Sequence, residues 1–374
     1  MTGAGVPDAP RESVQTQTGP YPWIVNPVVD SLLVFGGLVW IMIGLNVFFL
    51  GWTVPLDAMA GQPISRGLLL TALLGQHLFA DSHTAATYLR IFPIEETRQK
   101  FQFFTKYLPV ALLPLFFYGI VAPGGAGDLV YLYLITVFWH YSAQSFGISL
   151  IYCYKRGYML KPKEREIYRW FIYTMIIFIF VRMLTFKEHS PAQFYGVKLP
   201  FWGPLPVELY NVALAAFVIM SAAFAWVVCF KAVTERKLPP LPSILIIATV
   251  ALIGFSEGTL NALCWMYGPP FFHGSQYIAV SLAYYLKERG LPEGSPASAV
   301  AKLFWKPSTF QYMGVIILSG VFIYVGIPHF FNQLGYDFGM VAGCCLAVFN
   351  FHHFATDAAI WRLRDPKCRK LLLA

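Results

Sequence analysis

Ten apolar stretches, each long enough to cross about 30 Å of hydrocarbon, follow one another through the 374 residues and leave room for little else. They lie near 22–50, 65–90, 107–123, 128–154, 167–187, 207–230, 242–267, 269–287, 309–332 and 338–362. A backbone in lipid must satisfy its own polar groups, so this pattern predicts an all-α, polytopic membrane helix bundle of about ten helices. Only 12% of the residues are charged, about half the share of a soluble domain, so a large water-exposed domain is excluded. The seventh and eighth stretches meet at Tyr267-Gly268-Pro269-Pro270 with almost no loop. That junction reads as a tight hairpin or as one broken re-entrant unit.

Loop charges give an independent count. Arg90, Arg98, Lys100 and Lys106 follow the second stretch, and six basic residues from Lys155 to Arg169 follow the fourth. Lys231, Arg236 and Lys237 follow the sixth, Lys287, Arg289, Lys302 and Lys306 the eighth, and Arg362 to Lys370 the tenth. The other side holds only Arg66, Arg182, Lys187 and Lys198. This alternation is the positive-inside pattern, with both termini cytoplasmic. It also accounts for the net charge of +8, which faces anionic lipid headgroups and gives no sign of a nucleic-acid partner. Residues 1–21 read as a disordered cytoplasmic tail, 22–363 as one transmembrane domain and 364–374 as a basic cytoplasmic tail. Tyr88, Tyr152, Tyr154, Tyr284, Tyr285 and Trp361 read as an aromatic belt at the cytoplasmic interface. The Pro- and aromatic-rich stretch 187–206 reads as an interfacial cap on the opposite side, with His189 at the surface.

Ionisable side chains within hydrocarbon are costly, so each marks a candidate site. Helix 2 carries His77, Asp81 and His83; helix 4 carries His140 and Gln144; helix 8 carries His273, Gln276 and Tyr277; helix 10 carries His352, His353 and Asp357. His77 and Asp81, His140 and Gln144, and His353 and Asp357 are spaced i, i+4, which puts each pair on one helix face. All four helices run in the same direction. Helix 7 adds Glu257 and helix 1 adds Asp30.

Neutral imidazole is the commonest metal ligand, and a ligating histidine usually gives its other N–H to a polar partner that fixes its tautomer. The pattern therefore predicts a metal site inside the bundle, with His77, His140, His273 and His352 or His353 as ligands and Asp81 or Glu257 as carboxylate ligands. Gln144, Gln276, Asp357, His83 and Asp30 are expected to support them. His77 and His83 lie about 240° apart on an ideal helix and cannot both face one centre. Of the adjacent pair, His353 shares the face of Asp357, and His352 is left to a second ion or to packing. Histidine with carboxylate suits Fe, Zn or Mn better than Cu(I). Two other readings stay open: a haem b electron-transfer subunit with pairs among His77, His140 and His353 as axial ligands, and a proton-coupled transporter using Asp30, Asp81, Glu257 and Asp357. The chain has no Gly-rich phosphate loop, no CxxCH haem-attachment motif and no Ser nucleophile elbow. Its six cysteines include no CxxC pair and read as small buried hydrophobes.

The set SHTAATYLR, HYSAQSFGISLIY, HGSQY and HHFATDAAIWRLRDP resembles a group of bacterial multi-span membrane proteins with similar His-centred boxes. More distantly, histidines spread over several membrane helices resemble the integral-membrane non-haem iron enzymes. These include the fatty-acid desaturases, the alkane hydroxylases and, most nearly, the Brp/Blh-type carotene dioxygenases. The HxxxH and HxxHH boxes of the first two are absent. The resemblance implies a bacterial inner-membrane oxidoreductase with one or two iron ions, a lipophilic substrate and a redox partner.

Overall fold

The computed structural model describes residues 23–50, 70–194, 196–256, 258–289, 291–292 and 295–373. The candidate tail at 1–21 and Glu257 lie outside them. Eleven main helices appear: α1 (Pro27–Val34), α2 (Gly37–Phe48), α3 (70–91), α4 (Phe103–Val121), α5 (Gly125–Lys155), α6 (Pro162–Thr185), α7 (Val207–Thr234), α8 (Leu241–Phe255), α9 (258–289), α10 (Pro307–Gln333) and α11 (Phe338–Ile360). The one β-element described is a two-residue antiparallel pair, Gln193–Phe194 with Val197–Lys198.

Among the described residues, five helices, α4, α6, α7, α10 and α11, are long and apolar enough to cross a membrane, and α1 with α2 makes a sixth if the pair is one span bent by 61°. Of these helices α7 is the most apolar, yet little of it is buried. A helix that is this apolar and this outward-facing fits a lipid environment and would be unstable in water. The all-α membrane architecture thus stands.

The expected junction at 267–270 is not a turn. The chain breaks instead at Ser256, and residues 258–289 stay helical through Pro269 and Pro270 by way of a π-helical turn, Pro269–Gly274. A π-turn carries an i→i+5 pattern and absorbs the prolines, which cannot donate in the regular ladder. The start of α8 is tied to the end of α5, with Ser243 Oγ donating to Ser149 O at 2.9 Å. The far end of α9 ties to the helix Pro366–Leu373, where Lys287 Nζ donates to Leu371 O at 3.0 Å. That short C-terminal helix packs on α5 and α9, with Cys368 and Leu372 buried.

The centre of the bundle is built on α5 and α11, which pack side by side, with α3 and α9 closing around them. Two π-turns, Gln76–Asp81 in α3 and Pro269–Gly274 in α9, pack directly against each other. Glycine makes this approach possible. A Cβ on Gly274 would stand 2.6 Å from Phe79 O, and one on Gly320 of α10 would stand 2.9 Å from the Asp81 carbonyl carbon. The π-turn of α3 is therefore clamped between two glycines on neighbouring helices. The cap expected at 187–206 covers the far end, with Val197 buried against Val130 and Gly343.

Candidate metal centre

Four buried histidines converge where α3, α5, α9 and α11 meet: His83, His140, His273 and His353. One ring nitrogen from each lies within 4.8 Å of the others. The imidazoles form a closed ring, with centroid separations of 4.8 Å (His83–His273), 4.8 Å (His273–His140), 4.7 Å (His140–His353) and 4.5 Å (His353–His83). Neighbouring planes are nearly perpendicular, at 70° to 87°. A flat ring with such sides has its corners about 3.3 Å from its middle. An imidazole nitrogen bound at about 2.1 Å from a metal carries its ring centre at close to that distance.

Hydrogen bonds on the outward nitrogens aim the inward ones. His83 Nδ1 donates to Ala80 O, so its Nε2 is bare. His353 Nδ1 donates to Thr87 Oγ1 at 2.8 Å, and Thr87 passes its own proton to Asp357 Oδ1 at 2.9 Å. Tyr277 OH donates to the same carboxylate oxygen at 3.0 Å and accepts from Trp361 Nε1 at 3.0 Å. Ring stacking holds the other two: Tyr141 on His273 at 3.9 Å and Phe354 on His140 at 4.3 Å.

Five nitrogens in this ring are buried with no partner: His83 Nε2, His140 Nε2, both nitrogens of His273 and His353 Nε2. Each unsatisfied buried polar group costs about 1–3 kcal/mol, so five together rival the roughly 5–15 kcal/mol that hold a typical domain folded. Bare imidazole nitrogens at this spacing fit a metal ion and fit a purely structural network poorly. No cysteine belongs to the group.

The structure brings together three of the predicted ligands, His140, His273 and His353, and adds His83, which the sequence placed in a supporting role. His77 is turned away. Its side chain is 42% exposed, and its Nδ1 pairs with Asp81 Oδ2 at 2.7 Å. Asp81 also accepts from Gln76 Nε2 at 2.9 Å and does not belong to the group of four histidines. His352 faces α4, its Nε2 donating to Phe104 O at 2.6 Å. Asp30 is spent at the start of α1, accepting from Ile24 N, Val25 N and Tyr152 OH at 2.7, 3.0 and 2.6 Å. Gln144 and Gln276 do not bond the histidines on their own helices but each other, at 2.9 Å. Trp361, expected in the aromatic belt, belongs to the Tyr277–Asp357 network, and Arg90 stacks on it at 3.6 Å. Asp357 keeps a place beside the ring, with Oδ2 3.6 Å from His353 Nε2 and 4.0 Å from His140 Nε2.

Two participants were missed, Thr87 and Trp361, while Tyr277 stood among the polar residues of its helix without a role. Thr87 had a signal, since it stands four residues after His83 in SHTAATYLR, the same i, i+4 spacing that singled out the other pairs.

Next to the ring lies a cavity of about 540 Å³ between α5, α9 and α11. Its wall is apolar (Trp139, Ile148, Val280, Phe354) apart from a few groups that include His140, Gln144, Tyr277 and Asp357. Trp139 is 45% exposed, so the cavity reaches the outer surface of the bundle.

Comparison with protein-family models, with curated proteins and with solved structures returns no match.

Proposed function

We propose that the chain is an intramembrane metalloenzyme, a mononuclear non-haem iron oxidoreductase acting on a lipophilic molecule that enters from the bilayer. The observation that carries this reading is the ring of four imidazoles with bare inward nitrogens beside an apolar cavity. Histidine ligands with a nearby carboxylate and no thiolate favour Fe, Zn or Mn. The one such group among the described residues has four ligands, which supports one ion rather than two. Iron held there would supply oxygen activation, and the electrons would come from a separate redox partner.

The chain's own part is to bind, orient and exclude. His83, His140, His273 and His353 would hold the ion, and Ala80 O and Thr87 fix two of their tautomers. Asp357 Oδ2, between the ring and the cavity, is the atom placed to hold a proton exchanged with the reacting molecule. The apolar wall excludes water and accepts a hydrocarbon chain. Haem fits less well, because imidazoles packed ring to ring at 4.5–4.8 Å leave no gap for a macrocycle. A carboxylate proton relay fits less well too, because Asp30, Asp81 and Asp357 each close a separate local network. Ten spans, cytoplasmic termini and a bacterial inner membrane complete the proposal, resting on the loop charges and on the likeness of the His-centred boxes to those of bacterial membrane proteins.

Metal analysis and an absorption spectrum of the purified protein test it. About one equivalent of metal without a Soret band is expected; less than roughly 0.2 equivalents of any transition metal after reconstitution overturns it.

A further inference from the structure

The cavity beside the ring is a slot that follows two helices. Its α5 wall is a stripe at helical spacing, from Thr136 past His140, Ala143 and Gly147 to Ile151. Its α11 wall runs from Phe351 through Ala355 and Ala358, with Trp361 beyond. The helical rise makes the slot about 22 Å long, with His140 about 6 Å from the Thr136 end and about 16 Å from the Ile151 end. Small residues open it to the outside of the bundle: Ala143 and Ala358 are exposed and Gly147 is half-buried. A Cβ on Gly147 would meet nothing within 4 Å. Glycine weakens a helix interior relative to alanine, and no neighbour excludes a side chain here, so what a side chain would fill is the slot. The two ends differ in polarity. The Thr136 hydroxyl is spent within its own helix, on Leu132 O and Tyr133 O at 3.0 Å each, which leaves that end apolar. Leu363 and Leu372 line the other end, and the exposed Arg362 and Arg364 flank Leu363.

We infer that the slot takes one acyl chain of an intact acidic phospholipid, lying along α5 with its headgroup at Arg362 and Arg364 and its tail past His140. From this mouth to His140 the slot spans about the depth of one leaflet, half of roughly 30 Å. A lipid standing in its own leaflet therefore reaches the histidines without leaving the membrane. Its phosphate keeps its water and meets guanidinium groups at the interface. The stretch of about 6 Å beyond His140 receives the tail. A carbon within the chain, not its terminal methyl, thus faces His140 and Asp357 on the slot wall. Gly147, between His140 and the mouth, is a specificity-determining residue: the chain passes where a side chain is missing. That the chain is a substrate rests on the metalloenzyme reading; its binding in the slot does not.

The test uses the full chain in phosphatidylcholine nanodiscs doped with phosphatidylglycerol that carries a diazirine near the carboxyl end or near the methyl end of one chain. Photolabelled residues are mapped by mass spectrometry. Val218 and Ile219 on α7, both exposed, report the lipid that merely surrounds the protein. In the wild type the tail probe is expected to label Phe351 and Phe354 about fivefold more than α7, and the carboxyl-end probe to favour Trp361 and Leu363. Gly147→Phe should cut tail labelling of Phe351 and Phe354 to the α7 level and leave labelling of Leu363 within about twofold. Equal labelling of slot and α7 in the wild type overturns the inference, as does a reversed order of the two probes or an unchanged pattern in Gly147→Phe. Displacement of the label by an equal amount of free fatty acid overturns the phospholipid assignment, and equal slot labelling by phosphatidylcholine probes overturns the acidic headgroup. If Gly147→Phe does not fold, the order of the two probes in the wild type alone decides. Labelling is run on metal-free and metal-loaded protein. Slot labelling in a protein that takes up no metal supports this inference and removes the enzyme reading; a metal-loaded protein with no slot labelling does the reverse.

Discussion

Thr87→Val removes one hydroxyl from the middle of the candidate centre and changes almost no volume. Thr87 is fully buried, and its oxygen accepts from His353 Nδ1 at 2.8 Å while donating to Asp357 Oδ1 at 2.9 Å. Valine leaves the imidazole N–H without an acceptor and takes one donor from the carboxylate, which keeps Tyr277 at 3.0 Å. Two groups weakened at about 1–3 kcal/mol each, partly offset by Tyr277, make a stability loss of about 2–4 kcal/mol. The larger consequence is for the metal, because nothing then fixes the tautomer or the ring angle of His353. Loss of such a supporting contact typically weakens metal affinity by about 10- to 100-fold, or about 1.4–2.8 kcal/mol. Competition against a chelator of known affinity, with thermal unfolding in parallel, reads both effects. Thr87→Ser, which restores the hydroxyl, should recover most of the affinity. Wild-type affinity in Thr87→Val would refute the reasoning, since Asp357 would then be orienting His353 without Thr87.

Two further outcomes concern the frame. Gly274→Ala places a Cβ 2.6 Å from Phe79 O, so the π-turns must separate, and a loss of about 1–3 kcal/mol together with weakened metal binding is expected in melting and metal titration. Gly314→Ala in α10, where a Cβ meets nothing within 4 Å, should by contrast leave both unchanged. At the exposed end, Lys100 Nζ stands 2.6 Å from Asp365 and holds its carboxyl below the usual carboxylate range. Because the folded pKa is the lower one, the pair's contribution is present above about pH 4 and lost as pH falls. Solvent screening keeps it small, so Asp365→Asn should cost under about 1 kcal/mol at neutral pH, read by thermal unfolding at low and high salt.

The helical architecture was legible because lipid leaves the chain few alternatives: long apolar runs must be helices. The meeting of His140 and His353 was legible because co-directional helices put their polar residues at comparable depth; a helix starting at 269 set His273 nearer the outer surface, and the observed start at 258 brings it to the others. His83 was not legible. An ideal helix excludes His77 and His83 from one centre, and the Asp81 partner one turn on made His77 the natural choice. The π-turn at Gln76–Asp81 inserts one residue into the helix and rotates the residues after it, His83 included, by about 100°. No local residue announces that turn; it is set by the close approach of Gly274 and Gly320 from other helices. The same cause hid the helix through Pro269 and Pro270, which in a single sequence reads as a break. Gln144 and Gln276 misled in another way. Their spacing promised support for His140 and His273, yet their amides satisfy each other and two backbone carbonyls.

The choice between His83 and His77 distinguishes the ring of four imidazoles from any site built on the i, i+4 pairs alone. The deciding measurement is metal stoichiometry in the purified, reconstituted protein and in the two variants His83→Gln and His77→Gln. The account predicts about one equivalent in the wild type and in His77→Gln, and a loss of at least about tenfold in affinity in His83→Gln. Metal retained by His83→Gln and lost by His77→Gln would contradict it.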